Sequence, residues 1–470
     1  MSKYKKLAIN SIVFAIGNLG SKLISFLLLP LYTYYLEKNE FGTVDLLTTT
    51  LSLIIPIVTL SVFDAVLRFT MDKGYDNKIV LNNALLITLL GFIFSILLYP
   101  LVIIAFPFPK LLLYFYVLLL IQSINSSLSQ FVRALGKIKF FSTIGIIGAL
   151  TVLVGNIVFL VMLHWGIEGY LISLIFSNVV CFMYTFFFGD IRKYISISKA
   201  NLNVVKKMLI YSIPLIPNAL MWWIMSLSDR YIISFFLGLG ANGLYAVASK
   251  IPNLLNVINS IFFQAWQMSA IEESESKNKS EFYTKIFSLY STLLLVCASV
   301  MIGLTKFIMK FAVSDEYFEA WKYVPFLLLS IVFSSFSSFL GTNYIAAKNT
   351  TGIFKTSLWG AVINIVFNLI LIPIIGINGA AVSTMLSFAL IWILRIRGTK
   401  DYVNITINIK KIIIAMCILF IQITLLFINL PYSYLLQIIL ISTLLILNKQ
   451  DLLLISRKFT LKLNQKKLSM

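Results

Sequence analysis

Apolar runs of about 20 residues recur along almost the whole chain, roughly fourteen in all, and this repetition restricts the fold more than any motif does. As a helix, each run is long enough to cross about 30 Å of hydrocarbon. With 59% hydrophobic and only 12% charged residues and a mean hydropathy of +0.94, the composition excludes an ordinary soluble enzyme. The expected fold is an all-α polytopic membrane protein of about fourteen transmembrane helices.

The net charge of +20 raises nucleic acid as a partner, but a nucleic-acid reader gathers its Lys and Arg on one face of a soluble domain. Here the basic residues fall in alternate loops, as the positive-inside pattern requires. One set holds Lys3, Lys5 and Lys6, then Lys73 and Lys78, then Arg133, Lys137 and Lys139, then Arg192 to Lys207, then Lys348 and Lys355, then Arg395 to Lys411, and the tail Arg457 to Lys467. The intervening loops hold little more than Lys38, Lys110, Lys306, Lys310 and Lys322. Both termini are therefore expected in the cytoplasm, with an even number of spans and no nucleic-acid partner. Cys181, Cys297 and Cys417 lie inside apolar runs and read as small buried hydrophobes, neither a disulfide framework nor a metal site. The lone His164 beside Trp165 reads as interfacial. The run from Leu7 to Leu36 is too long for a signal-peptide core and reads as a retained first span.

Polar residues inside the spans carry the functional signal. A charge near a bilayer centre costs roughly 2.5–3.5 kcal/mol on insertion scales, so such residues normally face a bundle interior or a wet cavity. The stretch Ser226 to Trp266 places Asp229 and Arg230 side by side, turns at Gly238 to Gly243, and enters a second apolar run carrying Lys250. There Lys250, Asn253, Asn256, Ser260 and Gln264 share one helical face. In the first span Asn18, Ser21, Lys22 and Ser25 share another. The second span has Asp45 near its outer end, and Asp64 and Arg68 at i, i+4, able to pair on one face. Gln122, Ser126, Ser129 and Arg133 form a stripe on the fourth, consistent with either a wet surface or interhelical hydrogen bonds. Pro214 and Pro217 should break the seventh span. The last two spans carry almost nothing polar and read as a pair facing lipid.

The halves also match. Leu36 to Gly42 aligns with Leu237 to Gly243 at an offset of 201, and Gly166-Ile167-Glu168-Gly169 with Gly376-Ile377-Asn378-Gly379 at an offset of 210. An even number of spans separates the matches, so the two six-helix repeats are parallel. The expected organisation is 1–200 and 201–400 as two six-helix bundles, with 401–470 as two additional helices and a basic tail.

The passage from Asp229-Arg230-Tyr231 through Gly243-Leu244-Tyr245-Ala246 to Ser249-Lys250-Ile251-Pro252 resembles the polysaccharide flippases that move lipid-linked repeat units of O-antigen, capsule or exopolysaccharide. Pro30 to Gly42 and Gly376 to Ala381 are similar to the same family's other hallmarks, and the resemblance covers essentially the whole chain. It implies membership of the multidrug/oligosaccharidyl-lipid/polysaccharide exporter superfamily. It also implies an undecaprenyl diphosphate-linked oligosaccharide as substrate, carried across the bacterial cytoplasmic membrane by a monomer, with the pathway's polymerase as a further partner. Fixed cations suit a pyrophosphate in a low-dielectric path, and Lys22, Arg230 and Lys250 supply them. Asn18, Asn253, Asn256 and Gln264 suit sugar hydroxyls. Asp229, with Asp64 and Arg68, reads as coupling or charge-pairing. Asp229 and Arg230 lie about 100° apart on a helix, so they are not expected to point the same way. No Gly-rich phosphate loop is present and no cofactor is implied. A multidrug exporter of the same superfamily is the nearest rival. A flippase for the peptidoglycan precursor lipid matches the motifs less well. A membrane polymerase or ligase, the enzymatic alternative, would need catalytic groups that the short outer loops do not show.

Overall fold

The computed structural model describes residues 20–72, 74–100, 103, 108–196, 201–272, 278–346, 350–428, 430 and 432–454. The apolar runs are helical, since a segment in lipid must close its own backbone hydrogen bonds, and no strand occurs among the described residues. Among the described residues, eleven helices are long and apolar enough to cross a membrane. Helix 20–35 and the helices Leu239–Glu272 and Ser433–Leu447 stand at the remaining expected spans. The polytopic all-α fold of about fourteen helices is thus the observed one. Contacts divide the chain into two compact units, Met1–Ala246 and Val247–Met470.

The first unit contains α1 (20–35), α2 (Lys38–Val58), α3 (Val62–Met71), α4 (Asn77–Leu97), α5 (Leu112–Ala134), α6 (Ile138–Gly155) and α7 (Gly166–Phe188). Then follow α8 (Leu202–Ser212), α9 (Ile216–Leu227), α10 (Asp229–Leu237) and the start of α11 (Leu239–Glu272). The second span is not one helix. Pro56 removes a backbone donor, and Leu60 and Ser61 adopt left-handed φ of 50°, so α2 stops and α3 restarts in a new direction. The seventh span breaks where its prolines fall, at a short 3-10 turn Ile213–Leu215 between α8 and α9. Two apolar clusters hold this unit. One joins α3, α4 and α5 through Val66, Leu81, Phe131 and Val132; the other joins α2, α5 and α7 through Leu47, Leu51, Leu118 and Leu171. The outward side of α4, with Phe94 and Leu97, is exposed and apolar, as a lipid-facing surface must be.

Tandem asparagines on α4 bracket the chain that leads to α8. Asn82 donates to the Tyr194 carbonyl at 2.8 Å and accepts from the Ser196 amide at 3.0 Å. Asn83 donates to the Asn201 carbonyl at 3.2 Å and accepts from its amide at 3.1 Å.

The second unit takes the rest of α11, α12 (Lys279–Gly303), α13 (Thr305–Ala312), α14 (Val324–Ala346), α15 (Thr350–Ile375), α16 (Ile377–Gly398), α17 (Ile409–Ile428) and α18 (Ser433–Leu447). Its centre is aromatic. Trp266 stacks on Phe339 at 4.2 Å between centroids and donates its indole N–H to Thr342 at 3.0 Å. The last two spans depart from the expectation of a featureless apolar pair. Gln422 and Gln437 are buried. Ser299 on α12 donates to Gln422 at 2.8 Å, and Gln422 donates to Gln437 at 2.9 Å. These amides dock α17 and α18 on α12, while Ile413, Ile438 and Ile446 remain exposed on the outer faces. Arg395 departs too. Assigned above to a basic loop, it lies in the last turn of α16, 2% exposed. There it donates to Ser337 O at 2.9 Å, Thr356 at 3.1 Å and Ser357 at 3.2 Å.

Candidate functional site

The N-terminus of α11 crosses that of α2 at close range, and the crossing is reciprocal. A Cβ at Gly42 would collide with the Leu239 carbonyl, and a Cβ at Gly243 would collide with the Lys38 carbonyl. Residues 38 and 42 correspond to 239 and 243 at the offset of 201 that aligns the halves. Each glycine therefore admits the first carbonyl of the opposite helix, a contact any side chain would forbid. Asn242 fixes the crossing by donating to the Gly42 carbonyl at 2.9 Å.

Below this crossing lies a buried charge cluster. Arg230 donates from Nε to Asp45 Oδ2 at 2.8 Å, and from Nη1 to Asp229 Oδ1 at 3.3 Å and the Ser226 carbonyl at 3.2 Å. The Arg230 and Asp45 side chains are 9% and 13% exposed, and that of Asp229 is 2%. Tyr245 donates its hydroxyl to the other oxygen of Asp229, and the guanidinium sits 5.6 Å from the Tyr245 ring centroid. Nearby, Tyr231 and Thr50 share a hydroxyl hydrogen bond, and Trp223 donates to the Thr49 carbonyl at 3.1 Å. Polar contacts thus tie α9 and α10 to α2. Two carboxylates surround one guanidinium, so the cation is fully compensated within the protein, and Asp45 joins α2 to α10 as an ionic latch.

The other sequence-derived candidates distribute as follows. Asp229 and Arg230 do meet, because the long guanidinium arm reaches back around the helix to its neighbour. Lys22 is exposed on α1, and Asn18 lies outside the described residues. Asp64, half-buried, and Arg68, exposed, share α3; among the described residues no ion pair joins them. In the second unit Lys250 is half-buried and Asn253 exposed on α11, and Asn256 donates to Asn253 at 3.3 Å. The side chain of Gln264 lies outside the described residues. Among the described residues no three His, Cys, Asp or Glu side chains gather as metal ligands. Sequence reasoning noted Asp45 on the second span but gave it no part in the site. Depth offers the signal for it: Asp45 and Arg230 each lie close to one end of their spans, and a buried cation needs a partner.

The fold is shared with solved transport proteins. The lipid II flippase MurJ in an inward closed conformation superposes with a TM-score of 0.66 at 16% identity, over 96% of this chain and 100% of that chain. An inward-facing MATE family transporter of the MOP superfamily gives 0.65 at 13% identity, over 84% and 98%. A mutant of the Vibrio cholerae MATE transporter VcmN gives 0.60 at 14% identity, over 84% and 97%. In sequence, an uncharacterized membrane protein of Methanocaldococcus jannaschii, MJ1068, is 26% identical over 220 residues, which is 43% of this chain and 43% of that protein's length. The polysaccharide biosynthesis protein family matches residues 7–267, more than half the chain, and the protein belongs to that family.

Proposed function

We propose that this chain is a flippase that moves an undecaprenyl diphosphate-linked oligosaccharide from the cytoplasmic to the outer leaflet for surface polysaccharide synthesis. The observation that carries the reading is the buried Arg230, latched to Asp45 and Asp229, in a family of polysaccharide biosynthesis proteins. Release of the latch frees a guanidinium whose planar fork suits two phosphate oxygens at once. In low dielectric that exchange of one anion for another keeps the charge compensated. Lys22 and Lys250 add point charges, and the exposed amide of Asn253 with Asn256 offers neutral hydrogen bonds to sugar hydroxyls. Halves 1–200 and 201–400 would rock as parallel repeats, with 401–470 appended, in a monomer whose termini are cytoplasmic. The pathway's polymerase consumes the product outside.

A second reading has its own support. The cluster holds two carboxylates to one guanidinium, an acidic excess that suits a cationic drug. A deletion strain separates the two. Accumulation of lipid-linked oligosaccharide, reversed by the wild-type gene, supports the flippase. Unchanged lipid intermediates with heightened sensitivity to cationic drugs refute it and support the exporter.

A further inference from the structure

A shallow groove of about 400 Å³ runs along the side of α8 turned away from the first unit's core and ends at Pro214, in the turn Ile213–Leu215. Its walls are aliphatic, with Leu202, Val205, Leu209, Ile210 and Ile213. Lys206 is the one charge that lines it among the described residues, with no Asp or Glu beside it. The opposite side of α8 is fixed, which makes the wall rigid. Met208 is buried in the cluster with Val66 and Leu81, Ser212 is buried, and Asn201, held by Asn83, caps the helix start by accepting from the Asn203 and Val204 amides at 3.0 and 3.3 Å.

The two adjacent lysines of α8 have different surroundings. Lys207 Nζ lies 5.5 Å from the centroid of the Tyr75 ring. Lys206 stands about 100° round the helix from it, in one row with Leu202 and Ile210 at four-residue spacing, and among the described residues no ion pair joins it. Leu202 is 81% and Ile210 65% exposed. Water suits neither aliphatic side chain and hydrocarbon does not suit an ammonium, whereas the boundary between lipid phosphates and acyl chains suits all three. The helix follows the basic connection that the loop-charge pattern expects at the cytoplasmic leaflet, whose anionic lipids attract Lys and Arg.

We infer that this groove binds one anionic glycerophospholipid of the cytoplasmic leaflet, of the phosphatidylglycerol type. Lys206 meets the phosphate as a point charge, and the aliphatic row takes the upper part of one acyl chain; the volume falls within the roughly 300–1,000 Å³ of small-molecule sites. A zwitterionic headgroup would bring a second cation to walls that hold no carboxylate to meet it, so the lining selects a headgroup of net negative charge. The occupant is a resident membrane lipid, distinct from a transported one, and the inference does not depend on the flippase reading.

The test uses the full chain in nanodiscs, with Cys181, Cys297 and Cys417 replaced by Ala and a bimane fluorophore on the thiol introduced by Ile210→Cys. Quenching by phosphatidylglycerol brominated on its acyl chains is compared with quenching by phosphatidylcholine brominated on the same chains, at equal mole fraction. Ile213→Cys is an independent reporter should the first variant not give a monodisperse protein. Phosphatidylglycerol should be preferred at the reporter by about fivefold, the factor that one lysine near an anionic lipid surface contributes. Lys206→Gln should abolish that preference, and Lys207→Gln should leave it, since the Lys207 ammonium lies at the Tyr75 ring. Equal quenching by the two lipids overturns the inference. So does a preference that Lys206→Gln and Lys207→Gln lower alike, which is diffuse charge attraction without a site. Displacement of the brominated lipid by undecaprenyl phosphate but not by unlabelled phosphatidylglycerol gives the groove to a transported lipid and likewise overturns it.

Discussion

Arg230→Met tests the latch most sharply, because the structure fixes what is left behind. The substitution removes the one cation between Asp45 and Asp229, whose side chains are 13% and 2% exposed. Breaking a buried ion pair by deleting one partner costs about 3–5 kcal/mol. On the scale of about 2–4 °C per kcal/mol for units of 150–250 residues, the apparent Tm of the purified protein should fall by roughly 6–20 °C. Asp45→Asn removes one charge-assisted bond and leaves Arg230 its contacts with Asp229 and Ser226; it should cost less, about 1.5–3 kcal/mol. In the double variant one of the two stranded carboxylates is gone. It should therefore be more stable than the sum of the single losses by roughly 0.5–3 kcal/mol of coupling. Thermal unfolding in one detergent, followed by intrinsic fluorescence across the four proteins, measures the cycle. Additive losses, or an Arg230→Met protein as stable as wild type, would show that the three charges do not act as a buried unit.

Three further outcomes follow from local geometry. Gly42→Ala and Gly243→Ala each push a methyl into a backbone carbonyl of the opposite helix, and each should cost about 1–3 kcal/mol by overpacking, read as lowered Tm; the same substitution at Gly145, where a Cβ meets nothing within 4 Å, should be silent by comparison. A Cβ at Gly341 would lie 2.7 Å from Arg395 Nη1, so Gly341→Ala should destabilise the chain and Arg395→Met should relieve that loss, a non-additive pair in a thermal-shift assay. Asp190, in the exposed loop after α7, accepts from Lys137 and Lys193 at 2.8 Å each, hydrogen bonds that hold its pKa down at about 2 against an ordinary 3.8. Because the folded value is depressed, the stabilisation from these pairs is present above pH ~4 and is lost as pH falls through the folded value near 2; carboxyl NMR titration of Lys137→Met should place the Asp190 pKa closer to its ordinary value.

The spans and their number were legible because hydrophobic length alone sets them, and the prolines at 214 and 217 marked their break by chemistry that acts locally. The repeat was legible too, since Gly42 and Gly243 stand at matched positions in two similar turns. What those glycines do was not: only the folded chain shows each one admitting the other helix's carbonyl. The charge cluster was half visible. Asp229 and Arg230 announced themselves as adjacent charges in an apolar run, whereas Asp45 lies 185 residues away from Arg230, and a single sequence carries no pairing signal across that distance. Arg395 looked like one more cytoplasmic cation because loop charge is counted by position, and position does not report a side chain turned inward. Gln422 and Gln437 were each one polar residue in an apolar run, too little for any periodicity, yet together with Ser299 they fasten two helices. The stripe at Gln122, Ser126 and Ser129 was read as a polar face, and the fold decides what it faces.

The most direct test of the flippase reading uses purified full-length protein in proteoliposomes carrying an undecaprenyl diphosphate-linked oligosaccharide. A membrane-impermeant sugar-modifying probe reports the fraction of glycan exposed on the far side with time. Wild type should raise that exposure above protein-free vesicles, and Arg230→Ala should reduce the rate while remaining folded by gel filtration. Exposure no faster than in protein-free vesicles, or wild-type and Arg230→Ala rates that coincide, would contradict the account.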